Sequence, residues 1–214
     1  MLLPLKPPFQ PKKSLFIVIE GLDGAGKTTA SELLCKKLKK KLKVKRSYEP
    51  NDDMVGGIYI RSVLTKKIIQ FSHRTLALSF AANRLDHRDR LINPWLERAG
   101  DRAIICDRYY LSSLVYQSKD GFGFKEVLKM NEEARKPDVI FFLNVDNEVC
   151  YQRMKGRNQA KELFEENLEE DRKKFFKAIQ YLRRWNGDTI VEIDASGTPE
   201  ETVQQMHDFI MIND

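Results

Sequence analysis

The chain has 214 residues, 42% of them hydrophobic and 32% charged, enough to bury a core and too apolar for a disordered segment. No run approaches the roughly 20 apolar residues that span a bilayer, and the Pro-broken opening Met1–Lys13 is unlike a signal peptide. Three widely spaced cysteines, Cys35, Cys106 and Cys150, argue against a disulfide framework or a zinc site and point to a reducing, cytoplasmic setting.

The net charge of +6 suits an anionic partner. Its densest run, Lys36 to Arg46, reads as a solvated helix end, because no aromatic residue interleaves until Tyr48. Neither nucleic acid nor a membrane is expected as a partner.

In chain order, a tail over residues 1–13 leads into a strand at Ser14–Glu20, a helix at Lys27–Lys41 and a strand at Val44–Tyr48. Helices follow at Val55–Gln70 and Arg74–Arg98, then a strand at Arg102–Asp107 and a helix at Glu126–Arg135. The remainder reads as strand Asp138–Val145, helices Asn147–Lys155 and Lys161–Trp185, strand Thr189–Asp194 and helix Pro199–Ile212. Ser196 or Thr198 is the N-cap of that last helix. The alternation, with two strands almost continuously apolar, predicts one α/β domain over 14–214: a parallel five-stranded sheet flanked by helices.

Between the first strand and its helix stands Gly21-Leu22-Asp23-Gly24-Ala25-Gly26-Lys27-Thr28, followed by Thr29. This is the phosphate-binding pattern G-x-x-x-x-G-K-[ST]. Its glycines let backbone N–H groups turn toward phosphates, Lys27 reaches the β- and γ-phosphates, and the Thr28 hydroxyl holds Mg²⁺. The fold is therefore expected to be the three-layer P-loop NTPase type, binding ATP with Mg²⁺. The guanine-reading motifs of small GTPases are missing from suitable places and the chain is short for a motor ATPase, which favours a kinase.

Downstream, Phe80 and Arg84 share one helix face, so a ring could stack on a base while a guanidinium reads its edge. A core Phe80 and a surface Arg84 are the alternative. At the end of the third strand, Asp107-Arg108 lies where parallel sheets bind ligands. Arg108 could grip a phosphate, and Asp107 could hold a Mg²⁺-bound water or steady Arg108.

Taken in order, EGLDGAGKTT, FAANRLDH, ICDRYYLSSLVYQ, a Lys-Pro-Asp and IDASGTPEE resemble the thymidylate kinases from about Leu15 to Met211. The resemblance implies ATP as phosphoryl donor, dTMP as acceptor and a homodimer. It also implies that Phe80 stacks on thymine, Arg84 contacts the base, and Arg108 binds the acceptor phosphate. On the same basis Asp23 meets the 3′-hydroxyl or magnesium and Tyr116 packs beneath the sugar, excluding a 2′-hydroxyl. Ser113 and Gln117 are expected on the nucleotide, and Asp194–Gly197 beside the donor adenine.

Glu49 and Pro50 keep the centre of a family segment, Arg-Glu-Pro-Gly-Gly, that here reads Tyr48-Glu49-Pro50-Asn51-Asp52. A lid is expected around 153–165, where Arg153 and Arg157 supply the charge that a glycine-type loop lacks, Arg157 over the transferring group. Its stretch Lys161–Glu165 lacks the usual Arg. Other readings are a kinase for another deoxynucleotide or nucleoside, or an inactive nucleotide-binding protein.

Overall fold

The computed structural model describes residues 14–119, 121–155 and 167–211. The tail, Arg157 and the stretch 161–165 lie outside the described residues. The sheet consists of β1 (Ser14–Gly21), β2 (Lys43–Tyr48), β3 (Arg102–Asp107), β4 (Val139–Asn144) and β5 (Ile190–Asp194). All neighbours pair in parallel, in the order β2-β3-β1-β4-β5. β3 is buried throughout and β1 from Leu15 onward, which is why Ala103–Cys106 and Leu15–Ile19 are apolar runs, whereas the edge strand β2 buries only Val44 and Ser47.

The helices are α1 (Lys27–Leu38), α2 (Gly57–Leu64), α3 (His73–His87), α4 (Asn93–Leu96), α5 (Tyr110–Gln117), α6 (Phe124–Met130), α7 (Asn147–Lys155), α8 (Leu168–Trp185) and α9 (Pro199–Met211). On β4, Phe141 meets Phe209 of α9 with ring centroids 5.7 Å apart, while Phe142 meets Phe175 of α8 at 5.2 Å. Consecutive strand residues point to opposite faces, so α9 and α8 cover the two sides of the sheet. This is the expected three-layer arrangement. Thr198 is the cap of α9: its hydroxyl accepts from Glu201 N–H at 3.2 Å, and the Glu201 carboxylate accepts from Thr198 N–H at 2.8 Å.

Four expectations need correction. The helix expected at Glu126–Arg135 is α6, which starts two residues earlier and ends at Met130, before turns over 131–133. The helix expected at Val55–Gln70 is confined to α2, entering after Gly56 and ending where Lys66 turns left-handed (φ 59). The one expected at Arg74–Arg98 passes through a wider π turn at Arg88–Ile92 before α4. Pro94, next in line, has no N–H to donate to Arg90. α5 was not expected at all, and it carries four residues of the site.

Candidate active site

Ile19 on β1 and Tyr48 on β2 both pair with Asp107, so the loops after these three strands converge at one end of the sheet. A parallel sheet that departs from sequential order leaves a ligand crevice there. The loop after β1 passes through Gly24 (φ 82) and Gly26 (φ 92), the latter capping α1. Both conformations favour glycine, and the helix start adds N–H groups without helical partners. Lys27 Nζ donates to the carbonyls of Leu22 (2.7 Å) and Gly21 (3.1 Å) and lies 3.6 Å from Asp23. Burial, reinforced by the Arg108 charge, pulls the Lys27 ammonium down to about 8.

A cavity of about 600 Å³ opens beside this loop. Asp23, Gly24, Gly26, Lys27 and Thr28 line one side. Glu49, Pro50, Phe80, Arg84, Asp107, Arg108, Ser113, Tyr116 and Gln117 line the rest, so all the residues expected around the acceptor share one space. Phe80 is core and wall at once: it packs with Ile60, Val63, Leu64 and Leu76 in a small apolar cluster between α2 and α3. Arg84 is no surface residue. Its side chain is 2% exposed and paired to Glu49 at 2.7 Å.

Arg108 holds a left-handed conformation (φ 65), which costs a non-glycine residue on the order of 1–3 kcal/mol. Its backbone N–H donates to Ile19 O at 2.9 Å, and its guanidinium donates to Ser112 Oγ at 3.0 Å and to the Asp23 carboxylate. The Arg108 guanidinium stands 5.5 Å from the Tyr116 ring centre. The alternative in which Asp107 steadies Arg108 is therefore corrected: Asp23 is the partner. Asp107 lies instead beside Ser31 and Thr28, with Arg46 3.9 Å from its Oδ2, and burial raises its carboxyl. Its Oδ1 is buried with no hydrogen-bond partner among the described residues. An orphaned carboxylate oxygen beside the Thr28 hydroxyl fits a hydrated divalent cation.

Beneath α5, the buried Glu20 carboxylate accepts from Tyr109 N–H (2.8 Å), Ser112 N–H (3.0 Å) and Ser112 Oγ (2.6 Å). It supplies the acceptor that the first turn of α5 needs. On the other flank of the phosphate loop, a cavity of about 290 Å³ is lined by Ala25, Thr29, Arg153, Ala195, Gly197 and their neighbours. Arg153 Nη1 lies 3.5 Å from the carbonyls of both Gly24 and Ala25. Leu22 stays buried under the loop and lines neither space.

Sequence reasoning missed Arg46 here. It was counted with the solvated helix run, but α1 ends at Leu38 and Arg46 sits on β2, donating to Ser31 Oγ at 3.0 Å and lining the larger cavity. Strand alternation with Val44 and Tyr48 was the available signal. Asp52, an added negative charge relative to the family segment, pairs with Arg61 at 3.2 Å and does not itself line the cavity.

The thymidylate kinase family model matches residues 19–206. The chain belongs to the thymidylate kinase family. A protein named probable thymidylate kinase from Methanocaldococcus jannaschii is 38% identical over 92% of this chain and 94% of its own. The thymidylate kinase of Caldicellulosiruptor saccharolyticus is 35% identical over 92% and 96%. Among solved structures, the thymidylate kinase of Candida albicans superposes with a TM-score of 0.74 at 26% identity, covering 94% of this chain and 92% of that one.

Proposed function

We propose that the chain transfers the γ-phosphoryl group of ATP to dTMP, giving dTDP and ADP. One observation carries this reading: a single cavity joins Lys27 and Thr28 of the phosphate loop to Phe80, Arg84 and Arg108. In it, thymine stacks on Phe80 with Arg84 at its edge, Tyr116 lies under the deoxyribose, and Arg108 grips the acceptor phosphate. Ser113 and Gln117 border the nucleotide with Glu49 and Pro50. ATP lies across the loop from Gly21 to Thr29, its adenine toward Ala195 and Gly197.

In the reaction an acceptor phosphate oxygen bonds to the γ-phosphorus as the β–γ bridging oxygen leaves with ADP. Negative charge spreads over the migrating group, and fixed cations meet it without reorganising. Lys27 and Arg153 stand on the donor side and Arg108 on the acceptor side, with Arg157 proposed to close from the lid. Asp23 orients Arg108 and the sugar end. Thr28 and Asp107 would hold Mg²⁺, which supplies charge neutralisation on the donor phosphates.

The protein acts in the cytoplasm as a homodimer. Its proposed interface is the α3 stripe of exposed Leu78, Ala82 and Leu85, beside Val55, whose N–H donates to Asp86 on the same helix. The test of the activity is a coupled ADP-release assay over a panel of nucleoside monophosphates with Mg²⁺ and ATP. Turnover should be fastest with dTMP. Turnover with another nucleotide alone, or with none, would refute the reading.

A further inference from the structure

Arg84 is held before any ligand arrives. A guanidinium has five N–H bonds. Three of them here go to the Glu49 carboxylate (2.7 Å), the Asn131 side-chain carbonyl and Ser113 Oγ (3.1 Å). The ring of Tyr109 lies 4.9 Å from the guanidinium carbon. Two N–H bonds remain for the cavity that Arg84 lines.

The other oxygen of Glu49 does not face the cavity. It meets Nδ1 of His87 at 2.9 Å, one turn beyond Arg84 on the buried side of α3. Because a carboxylate oxygen only accepts, the proton on that bond belongs to Nδ1. Nε2 of the same ring lies 2.6 Å from the hydroxyl of Ser47, the β2 residue two before Glu49. Ser47, His87, Glu49 and Arg84 thus form one buried chain from the end of β2 to the last turn of α3. A carboxylate bonded through one oxygen alone can swing about its last torsion; bonded through both, it is fixed, and so is the guanidinium upon it.

We propose that His87 is a positioning residue for acceptor-base recognition, locking Glu49 so that Arg84 presents its two remaining N–H bonds in one fixed direction. The proposal rests on the reading of this cavity as the dTMP site. Cys106 also brings its sulfur within 4.8 Å of the Glu49 and His87 ligand atoms. A cation there is disfavoured, because Glu49 and His87 are already bonded to each other and Arg84 pairs with the same carboxylate. Fixing a recognition group in advance lowers the cost of binding, so the effect belongs in acceptor affinity rather than in the chemical step.

The test compares the parent with His87→Leu, His87→Asn and Ser47→Ala. His87→Leu should raise KM for dTMP about tenfold, the loss expected when a hydrogen bond to a charged group is removed. Its kcat and its KM for ATP should stay within about threefold of the parent, as they must if only acceptor binding is lost. His87→Asn keeps an N–H near the Nδ1 position and should recover most of the affinity. Ser47→Ala, which removes only a hydroxyl, should give a smaller shift of the same kind and keeps the test open if His87→Leu does not fold. Independently of turnover, the Arg84 Nε–H resonance should be protected from exchange in the parent and lose that protection in His87→Leu. Unchanged KM for dTMP and unchanged protection in folded variants would overturn the proposal. Lost protection in a protein whose parent does not turn over dTMP would support the hold on Arg84 but overturn its role in base recognition, and with it the function reading.

Discussion

A Cβ on Gly24 would stand 2.5 Å from the carbonyl oxygen of Cys150 and 2.9 Å from its Cα. The phosphate loop and the backbone of α7 are packed so closely that no side chain fits between them. The same approach carries Arg153, one turn further along α7, onto the loop. It also explains why the loop can hold no arginine of its own after Asp23. Gly24→Ala should therefore push α7 off the loop, on top of the roughly 1–2 kcal/mol that a left-handed alanine costs. The expected result is an ATP KM raised at least about tenfold, with melting lowered by several degrees. Calorimetric melting and initial rates over an ATP series would check both.

Lys27 gives a pH signature. Its ammonium is held near 8 in the empty site by burial and by Arg108, and bound phosphates favour the charged form. Below that value the lysine is already protonated and affinity is flat. Above it, binding must first restore the proton, so affinity falls by up to about tenfold per pH unit. Titration calorimetry of metal-free ATP in buffers of different ionisation enthalpy should show proton uptake at pH about 9 and little at pH about 7. In Lys27→Ala the uptake should vanish, and kcat should fall by orders of magnitude while the fold survives.

Glu20 caps a helix that begins 90 residues later in the chain, through three hydrogen bonds to Tyr109 and Ser112. Glu20→Ala leaves those donors buried and unmet, at about 3 kcal/mol or more. Glu20→Gln keeps an acceptor for the two N–H groups and should cost less than half of that. Because Ser112 also receives Arg108, the alanine variant should lose acceptor affinity as well as stability. Urea unfolding of the pair tests the order.

Tyr116 is fixed edge-on to Phe175, ring centroids 5.8 Å apart, with Arg108 over its face. If it closes the space under the sugar, trimming it to alanine should bring kcat/KM for UMP within about tenfold of that for dUMP, as filling or vacating a small pocket does. Parallel rate measurements on the two nucleotides decide it. Equal use of UMP and dUMP by the parent would remove Tyr116 from that role.

What the sequence made legible was local. The β1 strand, the glycine loop and α1 form one contiguous unit whose period, turn residues and lysine carry their own meaning. α7 starts at Asn147 as expected, with Glu148 in its first turn. What stayed hidden depends on distant partners. α5 carries two tyrosines, two serines and a valine, none a strong helix former, and its first turn is satisfied by Glu20 on β1. Arg84 could be read as a surface cation because Glu49 and Asn131, its buried partners, lie 35 and 47 residues away. Arg46 was absorbed into a run of lysines, although the break between α1 and β2 turns it toward Ser31.

The central claim is that one cavity delivers the γ-phosphoryl group of ATP to dTMP. Incubation with γ-labelled ATP, Mg²⁺ and dTMP, followed by separation of the products, measures this transfer directly. The label should appear in the β-phosphate of dTDP, only when dTMP is present, and not in the same reaction run with Lys27→Ala. Label released as inorganic phosphate, or retained on ATP while dTMP is unchanged, would contradict the account.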